Sequence, residues 1–545
     1  MSLLVGELPI DSGREPLIER QIGDDAGTDG SLTDFNDNPI ERYSLDPRRF
    51  AILAIFCFNN LIGSAIWITF APIEDAVIAN FRHYDSETSS GGISSQQVNW
   101  LSMVSMVVYG PGTALCALVV PRYGFRETVI ASSVIMAFGC FLRWLSLSFG
   151  ILDSLTSDEN SSSMARYFVL LTGQGLVALG QTIFMNAPAR IAASWFQQTT
   201  KSVGAINLCS SVGIIFGQAI PPLYVVEETS KHLDQLLAAQ GLVMGICAFF
   251  TAYWFRYEEP ECAPSAAEAA RRTERRRQCN DSPSSNDIPD VSSSNIANDL
   301  KKLFSNSQYI ILMVAFGINY GVNSAVMTLM QPWIASSGFP GDKMAGLCGS
   351  LLIGGGVIGT WIASVLLDIT RNYNQAIRWS FISTSIVAIG LVATLQPKCP
   401  TWILALAFII TGMTQLPLLT ICSDAVAAHT YPVSEELSSA GLQMVGQYLG
   451  VILVNGMSRL IEPFPDSSDV NQRTGFFAKV NIAYLSLLSV STVIACFYNS
   501  DDLRANVTIR EFQNSDTQTT AILGGNINGQ DDVSETNNYV RANEI

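Results

Sequence analysis

Histidine is scarce in this chain: three among 545 residues, at His83, His232 and His429. So few imidazoles leave little material for a His-built metal site or a nucleophile–histidine triad. The eleven cysteines are scattered through apolar stretches without a close pair, which reads as small buried hydrophobes rather than metal ligands or disulfides. There is no phosphate-cradling Gly-Lys-Ser loop, so pumping driven directly by ATP is excluded as a reading. Together these absences leave no metal site, no cofactor and no enzyme chemistry to expect.

Charge is also sparse. Charged residues make up 14% of the chain against 48% hydrophobic, which argues against both a disordered chain and one water-soluble domain of this length. Much of the net charge of −16 sits in the tails: residues 1–49 hold eleven acids against five Arg, and residues 500–545 eight against three. Both tails read as solvated and disordered, and no basic surface suggests a nucleic-acid partner. The polar start predicts that the first apolar run, rather than a cleaved leader, directs insertion.

What the chain has in abundance is apolar runs. A helix needs roughly 20 mostly apolar residues to cross the hydrocarbon core. Twelve such runs begin near Ala51, Trp100, Thr128, Tyr167, Val203, Leu236, Tyr309, Gly346, Ala376, Trp402, Leu437 and Phe477. A polar, Arg-bearing stretch splits them six and six. The expected organisation is an acidic tail (1–49), a six-helix half (50–257), a cytoplasmic loop (258–305), a second six-helix half (306–499) and a polar tail (500–545). The predicted fold is all-α, twelve transmembrane helices in two halves, working as a monomer in a lipid bilayer.

Lys and Arg crowd the loops that share a side with the N-terminus, including Arg122, Arg126, Arg190, Lys201, Arg256 and Arg271–Arg277. The positive-inside rule therefore puts both termini and the central loop in the cytoplasm. Asn160-Ser161-Ser162 then falls in an outer loop, where Asn160 can accept a glycan. The basic run after Ala263–Ala270 reads either as a topological anchor or as an amphipathic segment on the anionic inner leaflet.

Polar groups inside spans are costly and mark pathways, relays or structural pairs. They are Asn59, Asn60, Gln181, Asn186, Asn319, Asn323, Gln447, Arg143 and Asp424. Asp424 reads as the one carboxylate well inside a span, serving either cation coupling or a structural pair. Arg143, near an outer interface, is expected to snorkel. Trp67, close to Ala71-Pro72, stands where an irregular helix could turn its ring into a cavity.

The segments Val98-Asn99-Trp100-Leu101-Ser102-Met103, Tyr109-Gly110-Pro111 and Tyr123-Gly124-Phe125-Arg126 resemble the second-helix signature of the feline leukaemia virus subgroup C receptor family of major facilitator transporters. Gln181 with Asn186 through Phe196, Gly217-Gln218 with Pro221-Pro222, and Thr430 through Glu435 with Ser438 through Leu442 and Gly446-Gln447 resemble later segments in family order. The resemblance implies two halves rocking around a midplane site. It also implies a loop signature, kept by Asp368 and Arg371 in the second half, whereas Pro121 replaces the first-half acid.

The resemblance further implies a substrate-binding set: Trp67 for a cation–π contact, with Gln181 and Gln447 as amide partners. Ser324 stands where a second aromatic wall is expected, and Tyr320, one turn earlier, could compensate. The implied work is facilitated movement of a small organic amine such as choline or ethanolamine. Haem or a pyridoxine-like vitamin is an alternative cargo, and a non-transporting receptor or scaffold is the alternative of another class. The expected location is the plasma membrane. Glu15-Pro16-Leu17-Ile18 resembles an acidic sorting signal, which makes an endosomal or lysosomal membrane the second choice.

Overall fold

The structure, a computed structural model, describes residues 46, 48–81, 93–148, 159–196, 199–225, 232–255, 260, 272, 291–339, 341–370, 372–430, 433, 435–461 and 478–500. Among them the regular secondary structure is entirely helical. Twelve helical stretches are long and apolar enough to cross a bilayer. In chain order the spans are Arg49–Phe81, Ser95–Tyr123, Phe125–Leu147, Ser163–Asn186, Lys201–Tyr224, Leu233–Trp254, Ser307–Thr328, Asp342–Leu367, Tyr373–Thr394, Thr401–His429, Leu437–Ser458 and Lys479–Cys496. Their starts lie close to those expected from the apolar runs. Large apolar side chains such as Leu223, Trp361, Ile369, Trp379, Trp402 and Phe497 are exposed, as a lipid-facing surface requires.

Each half repeats one packing scheme. The first span packs on the fifth as the seventh does on the eleventh; the second on the fourth as the eighth on the tenth; the third on the sixth as the ninth on the twelfth. The halves then meet along two seams, second span against eleventh and fifth against eighth. Small residues permit the tight approaches. A methyl group at Gly139 would come within 2.6 Å of the Gly173 carbonyl oxygen, and one at Gly173 within 2.7 Å of the Gly139 oxygen. The third and fourth spans touch backbone to backbone there.

Local sequence sets the helix boundaries. Ser94 and Gln97 form a reciprocal capping box at the start of the second span. Asn306 caps the seventh, its side-chain oxygen accepting from the N–H groups of Gln308 and Tyr309. The tenth span is two helices, Thr401–Gln415 and Pro417–His429, because Pro417 has no N–H to continue the ladder.

Four expectations need correction. Beyond Trp67 the first span continues through a 3-10 turn, Ala71–Ile73, into a further helix, Glu74–Phe81. Pro72 sits at the start of that turn, where its missing N–H costs nothing. Asp424 is not the one carboxylate within a span: Glu74 and Asp342, each 3% exposed, are buried inside the bounds of the first and eighth spans, whereas Asp424 is exposed. Arg143 does not snorkel; it is 1% exposed, its guanidinium 5.1 Å from the Phe70 ring centroid. Asn160 lies in the first turn of a helix, Glu159–Asn186, which extends outward beyond the apolar span. The stretch expected as a central loop ends in a helix, Val291–Ser305, while the basic run around Arg271–Arg277 lies outside the described residues apart from Arg272.

Candidate functional site

The first helix ends at Ile68, one residue after Trp67, and the backbone loosens through Thr69 and Phe70 before the turn. That loosening leaves carbonyls to be satisfied by side chains. Gln174 of the fourth span donates to the Ile66 carbonyl at 3.3 Å and to that of Trp67 at 3.5 Å. Gln240 of the sixth donates to Thr69 Oγ1 at 2.9 Å. The half-buried Trp67 ring is held by its own N–H, which donates to the Ser102 carbonyl on the second span at 3.2 Å.

Below Trp67 in the first half lies Gln181, buried and bonded to Ser64 Oγ at 3.3 Å, with Ser64 and Ser210 hydroxyls 2.7 Å apart. The Gln181 side chain also lies against Gly63, one turn before Trp67. In the second half, Gln447 Nε2 donates to the Tyr320 hydroxyl at 3.0 Å. The Tyr320 ring packs against Gly446 and lies 5.6 Å from the Phe316 ring centroid. Tyr320 is thereby turned onto the eleventh span, so the structure pairs it with Gln447. Ser324 is buried at Gly450, where Met106 of the second span also converges.

One link crosses between the halves at mid-depth. The Tyr109 hydroxyl lies 2.9 Å from Asn186 Oδ1 of the fourth span and 3.3 Å from Gln443 Oε1 of the eleventh. Asn186 Nδ2 in turn donates to Thr113 Oγ1 at 2.9 Å. Tyr109 stands two helical turns beyond Ser102 on the second span, so Trp67 and Tyr109 bracket about 10 Å of the space between the halves. Beside it, the absence of a side chain at Gly110 admits the Tyr448 phenol of the eleventh span. Tyr109 was read only as part of a motif and given no role in the site, and Gln443 was not singled out from the sequence. A tyrosine inside a span looks like any core aromatic, and Gln443 sits two turns from a helix end, where an amide is unremarked. The signal that could have found them is their shared depth on two spans that the fold sets face to face.

Apart from Ser350 Oγ, which donates to the Ile215 carbonyl at 3.3 Å, other interhalf hydrogen bonds among the described residues lie toward the outer side in the orientation given by Lys and Arg. Gln331 Nε2 donates to Asp75 Oδ2 at 2.6 Å, Gln96 Nε2 to Asn455 Oδ1 at 3.4 Å, and Gln218 Nε2 to the Met327 carbonyl at 3.4 Å. An apolar cluster joins the same level, bringing Ile68, Ala71 and Met103 against Val322, Val326, Met330 and Trp333. Seals of this kind must separate for a midplane site to reach the outer side.

The remaining sequence candidates are structural or stand apart. Asn59 donates to Thr251 Oγ1 at 3.0 Å and accepts from Ser133 Oγ at 3.1 Å, pinning three spans of the first half, while Asn60 donates to the Phe184 carbonyl at 3.0 Å. Arg126 ties the third span to the end of the sixth, donating to the Phe255 carbonyl at 2.8 Å and pairing with Glu127 at 3.0 Å. Asp424 is exposed, five residues before the end of the tenth span, well away from Trp67 along the membrane normal. Asp368 lies in the helix Asp342–Thr370, just past the eighth span, but its side chain and all of Arg371 lie outside the described residues, as do Tyr431, Pro432 and Ser434 of the loop motif.

Known proteins supply the context. Residues 50–454 match the sequence model of the Major Facilitator Superfamily. Solute carrier family 49 member A3 of Xenopus tropicalis is 23% identical over 424 residues, 77% of this chain and 79% of that protein. The choline/ethanolamine transporter flvcr2a of Danio rerio is 24% identical over 464 residues, 83% of this chain and 87% of that protein. Among solved structures, a D-xylose-proton symporter superposes with a TM-score of 0.61 at 10% identity, over 83% of this chain and 98% of that one, which speaks for the fold. With the family model covering most of its length and a polar site between two repeated six-helix halves, this chain belongs to the Major Facilitator Superfamily and is a multi-pass membrane transporter.

Proposed function

We propose that the chain moves a small organic amine, of the ethanolamine or choline class, by alternating access at the plasma membrane. The observation that carries this is the placement of Trp67: an indole fixed at a loosened helix end, with Gln181 one turn below it and Gln447 and Gln443 supplied by the other half. A desolvated cation over an indole face gains about 2 kcal/mol, and carboxamide oxygens accept its hydroxyl or ammonium protons. Relatives named as choline/ethanolamine transporters support the same substrate class. Because the set draws on both halves, rocking one against the other would open and rebuild it.

Uptake of labelled ethanolamine and choline into proteoliposomes holding the purified chain tests this. Saturable uptake of at least one is expected, with Trp67→Ala weakening it about 30-fold, the equivalent of about 2 kcal/mol. Folded protein that takes up neither, or a Trp67→Ala variant as active as the parent, contradicts the assignment.

A further inference from the structure

We infer that the site selects amines bearing N–H bonds over quaternary ammonium ions, an inference that rests on the amine reading above. Its basis is a surplus of hydrogen-bond acceptors set against a shortage of aromatic walls.

The Tyr109 hydroxyl has one proton and two carboxamide oxygens in reach, Asn186 Oδ1 at 2.9 Å and Gln443 Oε1 at 3.3 Å. It serves the nearer. Asn186 is then satisfied on both ends, since its amide donates to Thr113. Gln443 Oε1 is left without a full donor. Turning the Gln443 amide over would let its nitrogen donate to the Tyr109 oxygen, but would only move the unserved carboxamide oxygen to the other side of the group. In either orientation Gln443 offers an acceptor.

Gln447, one turn along the same span, repeats the pattern. Its nitrogen is engaged by Tyr320, and no described residue donates to its oxygen. Two carboxamide oxygens on one helix face thus ask for protons, at the depth bracketed by Trp67 and Tyr109. A primary ammonium brings three N–H donors to such a place. A trimethylated ammonium brings none and gains from aromatic faces instead. Here the aromatic complement is thin. Position 324 carries a serine buried against Gly450, and the Tyr320 ring is packed on Gly446. A site that hydrogen-bonds a substrate N–H discriminates strongly against the analogue lacking it, because its own polar groups are then left unpaired.

The test is inhibition of labelled ethanolamine uptake by ethanolamine, its N-methyl and N,N-dimethyl derivatives and choline, in proteoliposomes of the full chain and of Gln443→Leu. The inhibition constant is expected to rise with each methyl group, with choline about ten-fold weaker than ethanolamine or more. Gln443→Leu should shrink that choline-to-ethanolamine ratio by about five-fold. A flat series, tighter choline, or a ratio unmoved by Gln443→Leu overturns the inference while leaving an amine transporter in place. Folded protein that moves no member of the series overturns both readings. If Gln443→Leu does not fold, the methyl series on the parent chain decides alone.

Discussion

The two halves share a packing scheme but use their buried polar groups differently. In the first half, Asn59, Asn60, Gln174, Gln181 and Gln240 all bond within that half, to one another's helices. Across the seam, Gln331 donates to Asp75, Gln443 and Asn455 accept from Tyr109 and Gln96, and Gln218 of the first half donates to the Met327 carbonyl. Bonds within the first half therefore brace the frame that fixes Trp67, and the bonds across the seam are the contacts that can be exchanged. An interhalf bond lost in one state can be replaced by substrate or water, whereas an intrahalf bond is needed throughout the cycle.

Substitutions can break that contrast. The largest effect is expected from Gly110→Val at the seam, where the added side chain collides with Tyr448. Overpacking of roughly 2–3 kcal/mol should cut ethanolamine uptake at least 30-fold with little loss of thermal stability in detergent. An equal loss of both would erase the distinction between seam and frame. Asn59→Leu should do the reverse. It strips partners from Thr251 and Ser133, so melting in detergent should show about 2 kcal/mol of destabilisation, while the affinity of folded protein for amine stays near the parent value.

Smaller effects sharpen the picture. Asp75→Ala removes the acceptor of Gln331 at the outer seal. Because Asp75 is exposed, about 1 kcal/mol is expected, a five-fold shift toward outward opening, read as faster labelling of a cysteine placed at Val326 in the outer apolar cluster, which leaves the Gln331–Asp75 pair intact in the parent. Arg143→Met should be mild and opposite in sign. None of the three guanidinium nitrogens meets an oxygen acceptor among the described residues, their neighbours being the weakly accepting Cys140 thiol and the Phe70 ring, so a flexible apolar chain of similar length should raise stability by up to about 1 kcal/mol. Destabilisation on that substitution would mean that the cation is bonded after all.

Much of this was legible in the sequence, and for identifiable reasons. Spans announce themselves because lipid demands an apolar run, and Trp67, Gln181 and Gln447 stand out against such runs. The part that was not legible depends on which helix faces which. Pro72 marks an irregular helix, and that irregularity is a 3-10 turn beginning a new segment that carries Glu74 inward. Arg143 reads as near the interface by its position in the chain, but Gly173 opposite it lets the helices close over the side chain. Tyr109 belonged to a recognised motif, though its value as a bridge appears once Asn186 and Gln443 are seen on either side of it. Tyr320 shares a face with Ser324 as the helical repeat requires, but packing against Gly446 turned it toward Gln447.

The central claim is that the outer seam must part for the midplane site to work. Cysteines at Gln96 and Asn455, whose amides lie 3.4 Å apart across the halves, test it most directly. With Gln96→Cys and Asn455→Cys combined, a short reducible bifunctional thiol cross-linker, long enough to span the truncated side chains, should abolish ethanolamine uptake and a reductant should restore it, while the parent chain and each single variant are unaffected by the same treatment. Full uptake by the fully cross-linked protein would contradict the account.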